Sequence, residues 1–527
     1  MLMFRSLYKF VLMHRHQLLL HAIAILPMCL TLKLSLTIHK LFASGFDLAI
    51  FAQFCWLMAN KGMFANSTIL SSSFSCPVSP LADHLSILLL PISLIYKIIP
   101  SPTTLIAIQV LCAWLCLIGI LQLIQMRLSN HIALALVTVS LSLYPVLHLQ
   151  AVNDFHTESF IMVSMPWLWI SVLKKRLWLF WTCLIVVLLS KETAPVVALP
   201  LGLMLLLKSE HRKLGLQACV ASIVWFTISQ CFLLPPLRNY KPLPAFICDY
   251  SYLGDSLSKA FIAALINPSK PMKFLLSEDA LLSLLVMLLP LSFLPLVCPL
   301  AFITALLPFI QTFASSYPPM RSIGYHGLMP LTALFMLGCV EGIANIVWFT
   351  SRKDSTGKRR NISELSVSLW LLSLVTLSWI LVPPYQQVLL SYKTLTRRGV
   401  EKSFERVEAI RQALSLIPTD APVIASARLL PYLSNREFVW RFDWNNPLRG
   451  SDGKLHPEWR GEKPTDDVYI AVELEPIGVQ ELITQPKGTR TTQVAQELAM
   501  MKRWKQIEVL VENRYIALLR YHAFHFD

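Results

Sequence analysis

Residues 177 to 207 read LWLFWTCLIVVLLSKETAPVVALPLGLMLLL, a stretch whose only charged residues are Lys191 and Glu192. A bilayer core of about 30 Å is crossed by about 20 apolar residues in a helix. The charged dipeptide divides this stretch into two apolar runs of about 14 residues, each about 21 Å long as a helix and therefore shorter than the core. The sequence predicts two short membrane helices joined by a turn, which holds either a structural ion pair or part of a polar cavity.

The rest of the chain also has the composition of a membrane protein. Of its 527 residues, 55% are hydrophobic and 15% are charged, whereas soluble domains carry roughly 25% charged residues. Only 13 of the 31 acidic residues precede Tyr385. We therefore expect a transmembrane domain over residues 1 to 384 and a soluble α/β domain over residues 385 to 527. The net charge of +15 lies mostly in loops, which excludes a nucleic-acid binder with one basic face.

Apolar runs predict eleven membrane-spanning helices. Residues 85 to 99 are expected to lie on the outer membrane surface instead, because Pro91, Lys97 and Pro100 make this stretch a poor span. The eleven predicted spans lie near residues 16 to 37, 103 to 126, 132 to 150, 159 to 173, 177 to 190, 194 to 207, 214 to 234, 281 to 296, 297 to 311, 327 to 349 and 364 to 383.

Basic residues predict the orientation, because cytoplasmic loops carry the excess of Lys and Arg. The basic clusters that share one side of the membrane are Arg5/Lys9/Arg15, Arg127, Lys174/Lys175/Arg176, Lys208/Arg212/Lys213 and Arg352/Lys353/Lys358/Arg359/Arg360. The protein is therefore expected in the cytoplasmic (inner) membrane, with its N-terminus on the cytoplasmic side and its C-terminal domain on the outer side. Two large loops, over residues 38 to 102 and 235 to 280, also lie outside, and a disulfide among their cysteines is left open. These cysteines are Cys55, Cys76 and Cys248.

Asp47 lies near the start of the first outer loop. It follows Gly45-Phe46 and precedes the apolar segment Leu48-Ala49-Ile50-Phe51-Ala52-Gln53, a pattern typical of a helix on the membrane surface. The residue is either the N-cap of this helix, where a side-chain oxygen accepts an orphan backbone N–H, or a general base at the membrane surface.

Between the third and fourth spans, Asp154, His156 and Glu158 place three ionisable groups within five residues. A charge at bilayer depth costs about 2.5 to 3.5 kcal/mol on insertion scales, so such groups usually face a cavity. If the segment is helical, Asp154 and Glu158 share a face. The cluster could shape a substrate site or hold a divalent metal ion with mixed N and O ligands. An N-cap followed by a solvated loop is the alternative.

Three more candidate residues fall on the outer side by the same charge rule. His84 begins the surface helix, and His326 precedes the tenth span. Tyr252 lies in the second large loop, where bases and aromatic residues suit a phosphate or a sugar. Together with Lys191 and Glu192, these residues predict one outward-facing polar site. Lys191 would pair with Glu192 when this site is empty.

The tail has the pattern of a small α/β domain. A helix is predicted over residues 400 to 414 and another near residues 492 to 504. The predicted strands lie at residues 422 to 425, 437 to 442, 467 to 474, 507 to 512 and 515 to 521.

Several short motifs, in this order and spacing, resemble a bacterial family of uncharacterised polytopic membrane proteins, domain of unknown function 2079. They are Phe46-Asp47-Leu48-Ala49-Ile50-Phe51-Ala52-Gln53, the His84 helix with Pro100-Ser101-Pro102, Asp154-Phe155-His156-Thr157-Glu158, Lys191-Glu192-Thr193, Tyr252-Leu253-Gly254 and Tyr325-His326. Two positions depart from the family: Ala52 replaces a frequent second acid, and Leu-Ser rather than Phe-Ser-Pro follows His84. Mechanisms that need two carboxylates in the first loop are therefore disfavoured.

That family is in turn similar to the membrane glycosyltransferases of the C-type fold, which take sugars from polyprenyl-phosphate carriers. The resemblance implies that Asp47 deprotonates the acceptor, in a wider family that often works without a metal. The expected partners are membrane lipids, a polyprenyl-phosphate-linked sugar donor and an unidentified acceptor, with no nucleic acid.

The leading hypothesis is therefore a glycosyltransferase on the outer face of the membrane. A transporter or a flippase for a lipid-linked substrate is the alternative, because polar groups at membrane depth also mark transport pathways. A noncatalytic scaffold is the third. An enzyme of this kind would gather its polar groups in one outward cavity, whereas a transporter would line a path through the membrane.

Overall fold

A computed structural model describes residues 2–62, 65–69, 79–238, 240, 249–351, 362–383, 385–386, 397–443, 446–449, 454–459, 466–474 and 489–522. Within these ranges the chain forms a bundle of helices followed by a five-stranded sheet. Six helical segments of the described chain are long and apolar enough to cross a membrane, so the protein has the architecture of a helical membrane protein. They are Leu19–Lys40, Pro102–Arg127, His131–Val152, Ser209–Leu237, Pro318–Ser351 and Glu364–Leu381.

Other predicted spans are shorter than a bilayer core. Glu158–Leu173, Leu177–Ser190, Pro195–Leu206 and Pro299–Phe313 are apolar helices of 10–17 residues. No continuous helix covers residues 281 to 296, because the helix Glu278–Leu288 ends two residues before Pro290, whose ring cannot supply the backbone N–H that a helix interior needs. Helix length therefore does not by itself support the predicted count of eleven membrane spans.

The remaining helical elements complete the bundle and its loops. The N-terminal helix is Leu2–Lys40, and the segment His131–Val152 divides at Tyr144 into His131–Ser142 and Pro145–Val152. The others are Phe46–Asn60, Pro80–Asp83, Leu89–Ile98, Ser209–His211, Arg212–Ile228, Ser229–Leu233, Leu234–Leu237, Leu257–Ile266, Ser269–Leu275, Leu294–Val297, Pro318–Arg321, His326–Leu328, Met329–Ser351, Arg397–Ser415, Leu430–Leu433 and Thr489–Met501.

Two helices of the first large loop pack against each other. Phe46–Asn60 is almost wholly buried although it is not one of the long spans. Its partner, Leu89–Ile98, has ten residues and is about 15 Å long, too short to cross a bilayer, as its prolines and lysine predict. Tyr96 is buried against the helix Phe46–Asn60, whereas Ile98 is 80% exposed.

The sheet has the strand order β2-β1-β3-β5-β4. β1 pairs in parallel with β2 and β3, and β5 pairs antiparallel with β3 and β4. One face packs with Leu498 and Met501 of the helix Thr489–Met501, and the other with Ile410 of the helix Arg397–Ser415. The strands lie where the sequence predicts them: β1 Val423–Ala425, β2 Val439–Arg441, β3 Val468–Glu473, β4 Ile507–Glu512 and β5 Ile516–Tyr521.

The sheet region is attached to the first large loop. The Gln53 side-chain amide donates to the Glu437 carbonyl at 3.0 Å. Thr68 exchanges two hydrogen bonds with the backbone of Val439 in β2, at 3.0 and 2.8 Å. The Tyr96 hydroxyl donates to the Asn435 side chain at 2.8 Å. These contacts hold the beginning of β2 against the helices of the first large loop.

Candidate active site

Asp154 caps the helix that carries Asp47. Its two carboxylate oxygens accept the backbone N–H groups of Gly45, at 3.0 Å, and of Leu48, at 3.4 Å. Orphan N–H groups at a helix N-terminus need such acceptors. Asp47, in the first turn of the helix, is not the N-cap, because that position belongs to Gly45. Its carboxylate is therefore left for other partners.

The Asp47 carboxylate faces His156. Asp47 Oδ2 lies 3.3 Å from His156 Nε2, and the Asp47 side chain is 47% exposed whereas that of His156 is 7% exposed. Gln109 fixes the loop that carries His156: its side-chain oxygen accepts the His156 backbone N–H at 3.0 Å, and its amide donates to the Asp154 carbonyl at 2.8 Å. The pair thus joins an open carboxylate to a buried imidazole.

A second acid–histidine pair, Glu158 with His326, lies next to the first. The rings of His156 and His326 are stacked, with centroids 3.5 Å apart and planes 12° from parallel. His326 Nε2 lies 3.7 Å from Glu158 Oε1, and Lys191 Nζ donates to the same oxygen at 2.6 Å. Asp47, His156, His326, Glu158 and Lys191 therefore form one contiguous polar cluster.

Glu192 pairs with His84 rather than with Lys191. Glu192 Oε1 lies 3.0 Å from His84 Nδ1, and its other oxygen accepts the Leu85 backbone N–H at 3.0 Å. The predicted pairing of Lys191 with Glu192 is wrong, because the two side chains leave the turn toward different helices and Lys191 reaches Glu158. The predicted shared face of Asp154 and Glu158 is also wrong, since the helix begins only at Glu158.

The acids of the site have different protonation tendencies. Burial alone would raise the pKa of Asp47, but the hydrogen bond and charge of His156, with the charges of His326 and Arg441, hold this pKa below its ordinary value. Burial and the nearby Asp47 charge raise the pKa of Asp154 to about 6, although its backbone hydrogen bonds oppose the shift. Burial would raise the pKa of Glu192, but His84 and Lys191 outweigh this effect and lower the pKa to about 2.

Two charged residues near the site were missed from the sequence. Arg441, the last residue of β2, lies with its guanidinium 4.8 Å from the ring centroid of Phe46 and contributes to the low pKa of Asp47. Burial raises the pKa of Asp249 to about 6, against the charges of Lys191 and His84. No local motif marks either residue, and the only signal for Arg441 is its place at the end of a predicted strand.

A small cavity opens beside the cluster. Its volume is about 60 Å³, and Glu158, Lys191, Gln311, Thr312 and Tyr325 are among its lining residues. Each of these side chains has a polar group. These polar groups lie on the side of the Glu158–Lys191 pair, while Ile161, Val197 and Met320 line the cavity elsewhere.

Other predicted site residues have different contacts. The Tyr252 hydroxyl donates to the Ala314 carbonyl at 2.6 Å, and its ring packs on Phe274. Arg238, from the same loop, is buried and donates to the carbonyls of Ala82 and Asp83. Both residues support loop structure. Cys55 is a free, buried thiol, while Cys76 and Cys248 lie outside the described residues.

Of the metal ligands suggested by the sequence, Asp154, His156 and Glu158, only His156 belongs to the group that the structure brings together. Among the described residues, Asp47, His156 and His326 have candidate ligand atoms within 4.8 Å of one another. This mixed N and O set suits a divalent ion chemically. However, the rings of His156 and His326 are nearly parallel, so the lone pairs of their ring nitrogens cannot both point at one ion. The imidazoles would have to tilt for both nitrogens to bind it.

Comparisons with known proteins support the same family and fold. The family model "Predicted membrane protein (DUF2079)" matches residues 37–459. The structure of ArnT from Cupriavidus metallidurans bound to undecaprenyl phosphate is similar, with a TM-score of 0.51 and 12% identity, over 96% of this chain and 98% of that one. The apo ArnT structure gives a TM-score of 0.46 and 14% identity, over 93% and 97% of the two chains. No curated protein matches the sequence.

Proposed function

The chain belongs to the family of predicted membrane proteins DUF2079, and from this premise we propose that it is a glycosyltransferase of the C-type fold. It would transfer a sugar from a polyprenyl-phosphate carrier to an acceptor at the outer face of the membrane. The fold is shared with ArnT, a protein whose structure has been obtained with undecaprenyl phosphate bound. This likeness supports a lipid-linked donor.

One observation carries the proposal: Asp47 is the open carboxylate of the polar cluster. Its side chain is 47% exposed, whereas those of Glu158 and Glu192 are 7% and 1% exposed. Asp154 is engaged by the helix N-terminus, and Glu158 and Glu192 by Lys191 and His84. Asp47 also contacts His156, at 3.3 Å, but its carboxylate is open enough to meet a substrate while it keeps this contact.

In the proposed reaction, an acceptor hydroxyl attacks the anomeric carbon of the donor sugar. The bond from this carbon to the carrier phosphate breaks, and the phosphate leaves with the bonding electrons. Asp47 takes the hydroxyl proton, as a general base does within hydrogen-bond reach, and His156 holds Asp47 in place. The low pKa of Asp47 keeps it ionised before the reaction.

The carrier phosphate would lie on the basic side of the cluster. Lys191 lines the small cavity together with Gln311 and Tyr325, which can donate hydrogen bonds to phosphate oxygens. Arg441 adds a positive charge on the side of the sheet region. We propose that this region positions the acceptor, because β2 ends beside Phe46.

Transport is the weaker alternative. Below the cluster, the helices carry fully apolar buried residues such as Met162, Leu201 and Leu334. A transporter would instead need polar groups along a path through the membrane. The Asp47 cluster lies at one end of these helices and the Arg127–Glu341 pair at the other, and the buried apolar residues between them favour a reaction site over a transport path.

The test is turnover of labelled polyprenyl-phosphate sugars, supplied as a panel to membranes that contain the protein. Asp47→Asn keeps the shape of the side chain and removes the base, so turnover should fall by at least about 100-fold. Asp255→Asn is the matched control, because Asp255 forms an exposed pair with Lys259. Equal turnover by wild type and Asp47→Asn at matched abundance would refute the assignment of the base.

A further inference from the structure

A second, larger cavity lies at the other end of the helices that build the active site. Helix Glu158–Leu173 has Glu158 in its first turn and Trp169 near its end, about 16 Å further along at 1.5 Å per residue. Helix Met329–Ser351 begins three residues after His326 and carries Glu341 in its second half. Trp169 and Glu341 both line this cavity, whose volume is about 600 Å³. It is therefore separate from the Asp47 cluster.

Two cations and one buried carboxylate line the cavity. Arg127 donates from Nε and Nη2 to Glu341 Oε1, at 3.0 and 2.8 Å, and Trp169 donates to the same oxygen at 2.7 Å. Lys208 Nζ lies 5.1 Å from the centroid of the Trp169 ring. Glu341 thus holds Arg127 in place, while Lys208, which is exposed, leaves the cavity with a net positive charge.

The rim of the cavity is apolar and exposed. Leu207 is 74% exposed, Trp348 is 55% exposed and Ile303 is 36% exposed, and all three line the opening. In a membrane protein, exposed side chains of this kind face lipid, and Trp is enriched at the interface between lipid and water. A ligand in this cavity can therefore extend an apolar part along the protein surface.

The surrounding loops carry further positive charge. Lys174, Lys175 and Arg176 follow the helix that carries Trp169, and Arg212 lies four residues after Lys208. Basic pockets between membrane helices, with basic residues beside them, bind the headgroups of anionic lipids. A soluble anion would need the charges alone and would gain nothing from the apolar rim.

We propose that the cavity lined by Arg127, Trp169, Lys208 and Glu341 binds the headgroup of an anionic phospholipid, with its acyl chains against Leu207, Ile303 and Trp348. The lipid belongs to the leaflet opposite the Asp47 site. Arg127 and Lys208 hold the phosphate, and Glu341 keeps Arg127 oriented. This lipid site is independent of the proposed transferase reaction.

Native mass spectrometry of the purified full-length protein tests the proposal. The probes are phosphatidylglycerol, phosphatidylcholine with the same acyl chains, and inorganic phosphate. We expect bound phosphatidylglycerol to exceed phosphatidylcholine, and Lys208→Gln to weaken phosphatidylglycerol binding about fivefold, as the loss of one basic contact predicts. Lys208→Arg should retain binding.

A second variant and a matched control separate this site from general surface charge. The double variant Arg127→Gln with Glu341→Gln leaves no unpaired buried charge, and it should also weaken phosphatidylglycerol binding. Lys213→Gln removes one exposed charge at the same end, outside the cavity lining, and should leave binding unchanged. Equal binding by wild type and Lys208→Gln, equal losses in Lys208→Gln and Lys213→Gln, or displacement of the lipid by an equal concentration of inorganic phosphate would each overturn the proposal.

Discussion

At the scale of single residues, the stacked histidines limit the charge that the active site can hold. His156 and His326 lie with ring centroids 3.5 Å apart, and two unit charges 4 Å apart repel by about 4 kcal/mol at an effective dielectric constant of about 20. Asp47 faces one ring and Glu158 faces the other. This repulsion disfavours a state in which both rings are charged.

Replacement of His156 tests this arrangement through the pH dependence of turnover. His156 helps to hold the pKa of Asp47 low, so His156→Gln should raise that pKa. Because Asp47 must be ionised to act as a base, the acid limb of the kcat/KM profile should move to higher pH, with a fall in turnover of about 100-fold.

The control for this prediction is His522→Gln. His522 also contacts two carboxylates, those of Asp467 and Glu508, but it lies on the sheet. This variant should leave the profile unchanged. Loss of the acid limb in His156→Gln, rather than a shift, would identify His156 itself as the base.

The sequence predicted which residues form the cluster better than it predicted which of them pair with each other. Counting Lys and Arg in the loops placed Asp47, His84, His156, Glu158, Lys191, Glu192 and His326 on one side of the membrane, and the structure brings these residues together in linked pairs. The pairing of Lys191 with Glu158 depends on the directions in which side chains leave a turn. A sequence pattern does not contain those directions, so it favoured the adjacent residue.

At the scale of secondary structure, the helix that carries Asp47 depends on a cap from another part of the chain. Asp154 lies 109 residues from Gly45 and still accepts its N–H. Gly45 allows this approach, because a Cβ at this position would overlap the Asp154 carboxylate. The close contact sets the position of the first turn, and with it that of Asp47.

Gly45→Ala should therefore displace the cap. We expect a loss of about 1 kcal/mol in the free energy of unfolding, the usual cost of a lost N-cap, together with lower turnover. Thermal unfolding in detergent measures the loss. Gly324→Ala is the control, because a Cβ there would meet Leu149 at an ordinary distance of 3.9 Å. Equal melting of the two variants would mean that the cap does not depend on Gly45.

At the scale of the whole molecule, the sheet region closes one side of the site. Thr68 and Gln53 of the first loop bind the backbone on either side of Phe438, and Arg406 bridges the Leu41 carbonyl and Glu473. The strands themselves were predictable, because most of them are short and largely apolar runs. The docking of β2 was not, because it joins residues that are far apart in the sequence.

Thr68→Val should loosen this docking, since it removes both hydrogen bonds to Val439 and keeps the side-chain shape. We expect a loss of about 1 to 3 kcal/mol in stability and lower turnover, because Arg441 moves with β2. Thr182→Val is the control, as Thr182 is an exposed helix residue bonded to its own helix. Proteolysis of the sheet region measures the loosening, and equal protease resistance in both variants would contradict this role for Thr68.

The proposed orientation can be tested with single cysteines. Glu408→Cys, on the helix beside the sheet, should react with a membrane-impermeant maleimide in intact cells. Lys174→Cys, in a basic loop, should react only after the cells are permeabilised. Lys174 is exposed and the Glu408 side chain is 40% exposed, so a difference in labelling reports the side of the membrane. The reverse pattern would invert the topology and place the Asp47 site on the cytoplasmic side.

The contact between β2 and the first loop also determines when the surroundings of Asp47 can be completed during synthesis. Gln53 and its partner Glu437 are separated by 384 residues, and ribosomes add about 5 to 20 residues per second. The helix that carries Asp47 is therefore synthesised about 20 to 80 seconds before the strand that completes its surroundings. During biogenesis the proposed base would await the end of translation, so a chain released early would be inserted in the membrane but unable to carry out the proposed transfer.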